Sequence, residues 1–438
     1  MAMEDSPLVM VEDADALAKM CERLKARAVI GVDTESDSMH HFQEKVCLIQ
    51  ISDVDTDYIV DPLAVKDLSP LGEIINDPKV LKVLHGADYD IVSLKRDYGF
   101  TFRNLFDTMI AAQFLGFVKF GLADLVRDTF GVFMDKKFQT HDWASRPLLA
   151  EHLEYARGDT HFLIALHELM RAKLDRKGRL KMVEEECRIL AEREWRSRAA
   201  DTESWTRVKG ANRLNASGQR VLRALCNLRD MRAKEMDRPP YKVFPDQILL
   251  RLAELQPTDF DTVASLVKPR SPLMRRHGED MLAAVQDGLN DESALPEPRS
   301  NKPRKAGPPT RYGMRETERL MLRLKDWRAA VKKRTKVPMI MVASNNQLKA
   351  LAGWRPHTTE ELFQVEDLRE WQIKLYGPEL LELVRVFEAS LEPAPRAASA
   401  SAGGGGEASG RRKRRRRRGG PKGGEASGGG AEASGGAE

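Results

Sequence analysis

The chain has 438 residues, of which 42% are hydrophobic and 31% are charged. This length suggests about three domains, and the absence of an apolar run near the ~20 residues of a membrane-spanning helix excludes a membrane-spanning protein. The four cysteines lie far apart without a C-x-x-C pair, which argues against a zinc ribbon and a disulfide scaffold. Residues 1–15 are acidic and lack a secretory signal pattern, so we predict a cytoplasmic protein with reduced thiols and no membrane partner.

Charge is distributed unevenly along the chain. Residues 1–170 carry 17 Lys/Arg and 29 Asp/Glu, residues 171–390 carry 44 and 32, and residues 391–438 carry 10 and 5. An acidic first part beside a basic remainder indicates an anionic polymer as partner, because acidic side chains hold cations and basic ones hold phosphates. A solvated charged face on each part explains the same numbers, so charge alone does not decide between the two interpretations.

The first part of the chain alternates between strand and helix patterns. Strands are predicted at 28–33, 46–52, 57–60 and 80–84, with a short one near residue 105. Helices are predicted over 63–75, over 89–98, from residue 108, and over 151–174. Three early strands followed by alternating elements favour a mixed α/β sheet. No strand pattern follows residue 180, so we predict that the remainder is helical.

The helical part contains a faint repeat. Leu228-Arg229-Asp230 precedes Pro240, and Leu324-Lys325-Asp326 precedes Pro338. Two helical modules of about 80 residues fit this spacing, and the Pro-, Lys- and Arg-rich segment 294–313 reads as the linker between them. The tail from residue 391 is rich in Gly, Ala, Ser and Glu and is predicted to be disordered. The tail contains one unbroken basic run: Arg411, Arg412, Lys413, Arg414, Arg415, Arg416, Arg417 and Arg418.

Asp33 and Glu35 end the first predicted strand. Side chains two residues apart on a strand point to the same side of the sheet, so the two carboxylates repel unless a cation lies between them. Divalent metal ions prefer such oxygen ligands. An exposed acidic loop has the same sequence pattern, so this motif alone does not establish a metal site.

Two further acidic motifs follow predicted elements. Asp88 and Asp90 come just after the strand over 80–84, and either one is a candidate ligand or a helix cap. Tyr155 and Asp159 share one face of a predicted helix because they are four residues apart. A buried unpaired carboxylate is costly. The alternatives for Asp159 are a salt bridge to Arg157 or an exposed position.

Together, the three motifs resemble one family. The order Asp-x-Glu, His-Gly-x-x-x-Asp and Tyr-x-x-x-Asp is similar to that of the DEDD-type 3′→5′ exonucleases of the Tyr subclass, which implies a ribonuclease H-like mixed sheet flanked by helices. The segments 47–52, 139–148 and 155–162 also resemble this family, and the last is similar to the third motif of ribonuclease D and of the nuclear-exosome exonuclease. The resemblance covers roughly residues 8–175.

The second half resembles nucleic-acid-binding modules. Residues 220–287 resemble an HRDC module, and residues 315–390 resemble a second, more diverged copy. An exonuclease followed by two HRDC modules is the organisation of bacterial ribonuclease D, and the few residues before the first predicted helix favour this type over the exosome enzyme. The predicted domains are an exonuclease over 1–200, HRDC domains over 212–292 and 314–390, a linker over 293–313, and a disordered tail over 391–438.

The resemblance implies a role for each residue of the motifs. Asp33, Glu35, Asp90 and Asp159 are expected to bind two divalent metal ions, Mg²⁺ or Mn²⁺. In the family the second-motif acid lies five residues after the His, which selects Asp90. Tyr155 is expected to orient the attacking water, because a phenol with an ordinary pKa of about 10 is a poor base near neutral pH.

The activity that the resemblance implies is a 3′→5′ exoribonuclease that releases nucleoside 5′-monophosphates. The expected substrates are tRNA precursors and other small structured RNAs. Phosphate contacts are expected from the HRDC modules and from the basic run 411–418, and a monomer is favoured. Two alternatives stay open, namely a DNA 3′→5′ exonuclease that uses the same acids and a catalytically silent RNA-binding adaptor.

Other polar residues near the motifs are predicted to have structural roles. Asp37, Asp107 and His161 are expected in loops or on helix surfaces, with Asp107 as a possible cap of the helix after it. His40 and His41 are expected to be exposed loop residues, and His85 is expected to pack at a strand end.

Overall fold

The computed structural model describes residues 6–195, 203–267, 272–295 and 313–391. Two compact units divide the chain, residues 1–390 and residues 391–438, and every element below belongs to the first. The basic run 411–418 and the predicted disordered tail lie outside the described residues. Within the described ranges, no helix is long and apolar enough to cross a membrane.

Six strands form one mixed sheet in the order β1-β4-β3-β2-β5-β6. Their bounds are β1 (Leu8–Val11), β2 (Val29–Ser36), β3 (Val46–Ser52), β4 (Asp57–Val60), β5 (Leu81–Leu84) and β6 (Leu105–Asp107). β3 is antiparallel to both β2 and β4, and the other pairs are parallel. β3 is buried along its whole length, as expected for an apolar central strand. The sheet confirms the predicted α/β fold class.

β1 has no counterpart among the predicted strands. It has four residues at the edge of the sheet, and only Val11 is fully buried. A run this short provides too few alternations between apolar and polar positions for a strand to be recognised.

Residues 6–195, which contain the sheet, form eight α-helices: α1 (Ala14–Lys25), α2 (Ser69–Asn76), α3 (Asp88–Tyr98), α4 (Thr108–Leu115), α5 (Leu122–Phe130), α6 (Ala150–His161), α7 (Leu163–Arg176) and α8 (Leu180–Ala191). The predicted helix over 151–174 is therefore two helices that meet at Phe162. α6 packs on β2, β3 and β4, whereas α7 packs on α4, β2 and β5. The predicted helix over 63–75 begins only at Ser69, since Asp61 forms a turn by accepting a hydrogen bond from the Leu63 N–H at 2.8 Å.

The remaining helices form two modules with the same order of elements. The first contains α9 (Ala216–Glu235), α10 (Pro240–Val243), α11 (Asp246–Leu255), α12 (Phe260–Val267) and α13 (Pro272–Asn290). The second contains α14 (Met314–Thr335), α15 (Met339–Val342), α16 (Asn345–Trp354), α17 (Thr359–Leu362) and α18 (Glu370–Ala389). In each, a long helix is followed by a four-residue helix, a ten-residue helix, a shorter helix and another long helix. This confirms the predicted repeat of two helical modules.

The second module contacts the sheet domain through the N-terminus of α18. The Glu185 carboxylate of α8 accepts hydrogen bonds from the backbone N–H groups of Glu370 and Trp371, at 2.7 and 3.0 Å. The Trp371 ring lies edge-on to Phe114, with 5.3 Å between ring centroids. Two free N–H groups at a helix start are thereby satisfied by a carboxylate from the other domain.

Candidate active site

Three elements bring the predicted acidic residues together. Asp33 and Glu35 lie in β2, opposite Gln50 and Leu48 of β3. Asp90 lies in the first turn of α3, which follows β5, the parallel neighbour of β2. Because β2 and β5 are parallel and α3 directly follows β5, Asp90 lies at the same end of the sheet as Asp33 and Glu35.

Asp159 reaches this group because α6 packs closely on β2. A Cβ atom at Gly31 would lie 3.0 Å from the Thr160 carbonyl oxygen, which is closer than such atoms normally approach. Glycine at position 31 therefore permits the short distance between strand and helix. The segment of α6 that carries Asp159 lies against β2 for this reason.

The carboxylates repel one another. Burial raises the pKa of Asp33 well above its ordinary range, and repulsion from Asp90, Asp159 and Glu35 adds to this increase. Burial, followed by repulsion from Asp159 and Asp90, raises the pKa of Glu35 to about 9. Burial and the charge of Asp90 raise the pKa of Asp159 to about 7. The site thus brings together one buried and three half-buried acidic side chains whose charges repel one another.

Asp90 belongs to this group, whereas Asp88 points elsewhere. Asp90 is 7% exposed and accepts a hydrogen bond from Thr34 Oγ1 at 2.5 Å. Burial raises the pKa of Asp90 to about 6, and the Thr34 hydrogen bond opposes this increase. The Asp88 side chain is 57% exposed and forms an ion pair with Arg193. The structure therefore places Asp90 among the grouped acids and Asp88 at the surface.

Tyr155 lies one helical turn before Asp159 on α6. Burial raises the pKa of the Tyr155 hydroxyl, and the charges of Asp159, Glu35 and Asp33 raise it further. The phenol is therefore neutral at physiological pH. In this state its hydroxyl can donate a hydrogen bond but cannot serve as a base. The residues predicted from the sequence thus lie within one electrostatically connected group.

An aromatic cluster holds the Tyr155 ring. Phe138 is edge-on to it, with centroids 5.8 Å apart, and Trp143 lies 5.9 Å away at an angle of 31°. His152 and His141 extend the cluster on the side of Phe138. Because rings packed on two sides restrict rotation, the position of the Tyr155 hydroxyl is constrained before any substrate binds.

The same helix carries a second group of buried charges. Arg157 Nε donates to Asp57 Oδ2 at 3.1 Å, and His161 Nδ1 lies 2.8 Å from the same oxygen. Ser52 Oγ donates to Asp57 Oδ1 at 2.6 Å. Asp57 is 1% exposed and Arg157 is 4% exposed. This network fixes the C-terminal turn of α6, which contains Asp159, to β3 and β4.

Sequence analysis missed two of these residues and misplaced a third. Thr34 was overlooked because the residue between two acids on a strand normally points away from them. Asp57 was assigned only to a strand. An acidic residue at the start of a buried apolar run indicates a basic or hydrogen-bonding partner, because an unpaired buried charge is costly. The predicted surface position of His161 is wrong, because its side chain is 6% exposed and contacts Asp57.

The other polar residues have structural contacts. Asp107 caps α4 by accepting from Met109 N and Ile110 N, as predicted, and it also accepts from Ala87 N. Asp37 lies in a loop but is fully buried, and it accepts from Lys45 N at 2.8 Å. The remaining predicted structural residues also have partners, which are Thr140 for His40, Asp237 for His41 and Thr108 for His85.

The donor set fits a divalent cation. Among the described residues, no three His, Cys, Asp or Glu side chains are arranged so that they could hold a metal ion as they stand, so the fit rests on the chemistry of the four repelling carboxylates. In the same part of the chain, no Lys or Arg forms an ion pair with any of the four. Four oxygen-donor side chains without a counter-charge are the chemistry that Mg²⁺ or Mn²⁺ prefers.

Comparison with known proteins agrees with this geometry. Residues 8–175 match the model of a 3′-5′ exonuclease family, and residues 218–285 and 317–384 each match the HRDC domain. Ribonuclease D of Granulibacter bethesdensis is 30% identical over 383 residues, which covers 86% of this chain and 92% of that protein. The chain belongs to the ribonuclease D family.

Within the ribonuclease D family, a solved structure is also similar. Escherichia coli RNase D, described as an exoribonuclease involved in structured RNA processing, has 26% identity and a TM-score of 0.64, covering 86% of this chain and 98% of that chain. The exosome complex component 10 homolog of Caenorhabditis elegans is 33% identical over 289 residues. That alignment covers 65% of this chain but 33% of the exosome protein, so the chain spans about a third of the length of this relative.

Proposed function

We propose that this member of the ribonuclease D family is a metal-dependent 3′→5′ exoribonuclease that releases nucleoside 5′-monophosphates. The observation that carries the proposal is the group of four acidic side chains and Tyr155 where β2, α3 and α6 meet. A phosphodiesterase needs this concentration of negative side chains only if cations bind between them.

Asp33, Glu35, Asp90 and Asp159 would hold two divalent ions, Mg²⁺ or Mn²⁺. When bound, two such ions supply positive charge for both the attacking and the leaving oxygen of a phosphodiester. Thr34 holds the Asp90 carboxylate in one orientation through their 2.5 Å hydrogen bond. A fixed orientation reduces the reorganisation that the site needs on binding.

Tyr155 would act as a hydrogen-bond donor. Its neutral phenol can orient the attacking water or a phosphate oxygen, since burial and the surrounding carboxylates raise its pKa. The packing of Phe138 and Trp143 against its ring keeps the hydroxyl in place. Orientation rather than proton transfer is therefore the role we assign to Tyr155.

RNA is the substrate that we infer, with tRNA precursors and other small structured RNAs as the expected class. The two HRDC domains and the description of the E. coli relative as an enzyme of structured RNA processing support this inference. Digestion of RNA and DNA oligonucleotides of one sequence, side by side, tests it against the DNA exonuclease alternative, because only RNA has a 2′-hydroxyl to recognise. The monomeric state and the cytoplasmic location stay predictions.

The direct test of the active site compares two neighbouring acids. A 5′-labelled single-stranded RNA is incubated with the wild-type chain in Mg²⁺, in EDTA, and with Asp90→Ala or Asp88→Ala in Mg²⁺. We expect a ladder that shortens from the 3′ end with wild type and Asp88→Ala, and intact RNA in EDTA and with Asp90→Ala. Intact RNA in every reaction, with RNA binding retained, would favour the adaptor alternative.

The basic run 411–418 is proposed as an additional RNA contact. It is supported by composition alone, because these residues lie outside the described part of the chain. Removal of residues 391–438 is expected to weaken RNA binding and to reduce the salt dependence of the binding constant. An unchanged salt dependence would contradict this role.

A further inference from the structure

A buried glutamine lies directly opposite Asp33 in the sheet. In the antiparallel pairing of β2 with β3, Gln50 is the partner of Asp33. Side chains of directly opposed residues point to the same face of a sheet, with Cβ atoms about 4.5–5.5 Å apart. This is the face that α6 covers, because Gly31, two residues before Asp33, lies against the Thr160 carbonyl oxygen. Gln50 is 0% exposed, so it can act on a ligand only through a neighbouring side chain.

The amide of Gln50 has no hydrogen-bond partner among the described residues, at either Nε2 or Oε1. A primary amide offers two donor hydrogens on its nitrogen and an acceptor on its oxygen. A buried amide without partners opposes folding, and such a group in a native protein calls for an explanation. The amide is therefore a candidate to pair with a neighbouring group that changes state when a ligand binds.

The two neighbours of Gln50 on this face of β3 already have contacts. Ser52 Oγ lies 2.7 Å from Thr160 Oγ1 of α6. Leu48 belongs to the apolar cluster that contains Trp143. Gln50 lies between these two residues, at the level of the strand where β2 carries the first acid of the group. Its polar end is thus unpaired where the face of the sheet passes from structural contacts to the acidic site.

Asp33 lacks the kind of contact that orients Asp90. The Asp90 carboxylate accepts a hydrogen bond from Thr34 Oγ1, whereas Asp33 has no side-chain donor among the described residues. Carboxylates that bind metal ions are normally oriented by such donors. A neutral amide suits this role, because it orients the carboxylate without cancelling the negative charge that attracts a cation. Lys or Arg at position 50 would cancel that charge.

We propose that Gln50 is a positioning residue for the metal site, because its Nε2 donates a hydrogen bond to the Asp33 carboxylate when that carboxylate binds a divalent cation. The bond would hold the carboxylate in one orientation and would give the buried amide a partner. The inference rests on the proposed function for the binding of a cation at Asp33. It implies that Gln50 lowers stability without a cation and raises affinity for the cation, a combination that a structural residue does not produce.

The test measures metal binding and stability without RNA. Mn²⁺ is titrated calorimetrically into the full chain and into Gln50→Met, which keeps the length of the side chain but removes the amide. We expect Gln50→Met to bind Mn²⁺ about 10-fold or more weakly, because loss of a group that orients a metal ligand typically costs about 10–100-fold in affinity. In EDTA its melting temperature should equal or exceed that of wild type, since an unpaired buried amide has been removed.

RNA digestion provides a further readout of the same variant. The Mn²⁺ concentration that gives half of the maximal digestion rate of a 5′-labelled RNA should rise by about the same factor as the binding constant. At saturating Mn²⁺, the rate of Gln50→Met should return to within tenfold of wild type. A residue that contacts the RNA or the reacting atoms would lower the saturating rate instead, and excess metal would not restore it.

Ser52→Ala is the matched control, because Ser52 is buried on the same face of the same strand but has partners. Removal of its hydroxyl breaks hydrogen bonds that the structure shows, so the melting temperature should fall both in EDTA and in Mn²⁺. The Mn²⁺ affinity of the folded variant should stay within twofold of wild type. The two variants are thus expected to have opposite signatures in stability and in metal binding.

The outcomes separate this inference from the proposed function. Wild-type Mn²⁺ affinity in Gln50→Met would overturn the positioning role and leave the metal site intact. An equal loss of affinity in Ser52→Ala, or a melting temperature of Gln50→Met in EDTA well below wild type, would also overturn it. A wild-type chain that binds Mn²⁺ through Gln50 but leaves RNA intact would uphold the positioning role and refute only the exonuclease function. A wild-type chain that binds no Mn²⁺ would overturn both.

Discussion

Helix α6 carries two groups of buried charge that are built in opposite ways. At Asp159, carboxylates face other carboxylates, and burial together with the charge of Asp90 raises the pKa of Asp159 to about 7. Two residues away on either side, Arg157 Nε donates to Asp57 and His161 Nδ1 lies 2.8 Å from the same carboxylate. Burial of like charges opposes folding, whereas burial of paired and hydrogen-bonded charges is tolerated. The contrast indicates which group serves binding and which serves structure.

The two groups are coupled by their position on one helix. Asp57 holds the turn that contains Asp159, and the close approach at Gly31 sets how near that turn lies to β2. The paired network therefore supplies the rigidity that a group of repelling carboxylates cannot supply for itself. The same substitution, Asp to Asn, can be made at Asp159 and at Asp57, and it should affect catalysis at the first position and stability at the second.

The largest expected effect is on catalysis at Asp159. Asp159→Asn removes one charge from the acidic group and should lower the rate of RNA digestion by about 10³-fold or more, as for essential groups of other active sites. Single-turnover digestion of a 5′-labelled RNA measures this rate. Glu151→Gln, an exposed change on the same helix, should leave the rate within twofold, and an active Asp159→Asn would contradict the assignment.

The same change at Asp57 should act on stability instead. Asp57→Asn removes the buried counter-charge of Arg157 and leaves only the exposed Glu154 as its acidic partner. This should lower the free energy of unfolding by about 3 kcal/mol. Urea denaturation followed by fluorescence measures the loss. At a temperature where the variant is folded, its rate of RNA digestion should stay within tenfold of wild type. A stable Asp57→Asn would show that the network does not support α6.

A smaller effect is expected at the Tyr155 hydroxyl. Tyr155→Phe keeps the ring between Phe138 and Trp143 but removes the hydrogen-bond donor, so kcat should fall by about 10²-fold with KM little changed. Its melting temperature should match wild type. Tyr89→Phe is the control, since that hydroxyl contacts Glu44 and Ser36 rather than the acidic group. Equal rates for the two variants would remove Tyr155 from the mechanism.

The smallest expected effect is a pH-dependent change in stability. The pKa values of Asp90, Asp159 and Glu35 are raised to about 6, 7 and 9. A carboxylate with a raised folded-state pKa favours the folded state when protonated, and this contribution is lost as pH rises between about 4 and 9. In EDTA, Asp159→Asn should therefore melt about 2–4 °C above wild type at pH 8.5 and close to it at pH 4.5. A difference independent of pH would exclude repulsion as its cause.

The acidic motifs were recognisable without a structure because their spacing is local. Asp33 and Glu35 share a strand face, and Tyr155 and Asp159 share a helix face, so each pair follows from the periodicity of its own element. The two helical modules were predictable for a similar reason, since their helix patterns and turn residues repeat. The choice of Asp90 over Asp88 needed the resemblance to a family, because either residue fits a helix start.

By itself, the sequence determined the α/β class of the first domain, the two helical modules after it and the residues of the acidic group, since these depend on local periodicity, composition and motif spacing. Only the tertiary structure decided what lies opposite each charge. The bond from Thr34 to Asp90, the network at Asp57 and the contact of Asp237 with the β2–β3 loop join residues 56, 100 and 196 positions apart. Such pairings leave no local pattern, because they arise from how the strands and helices pack against one another.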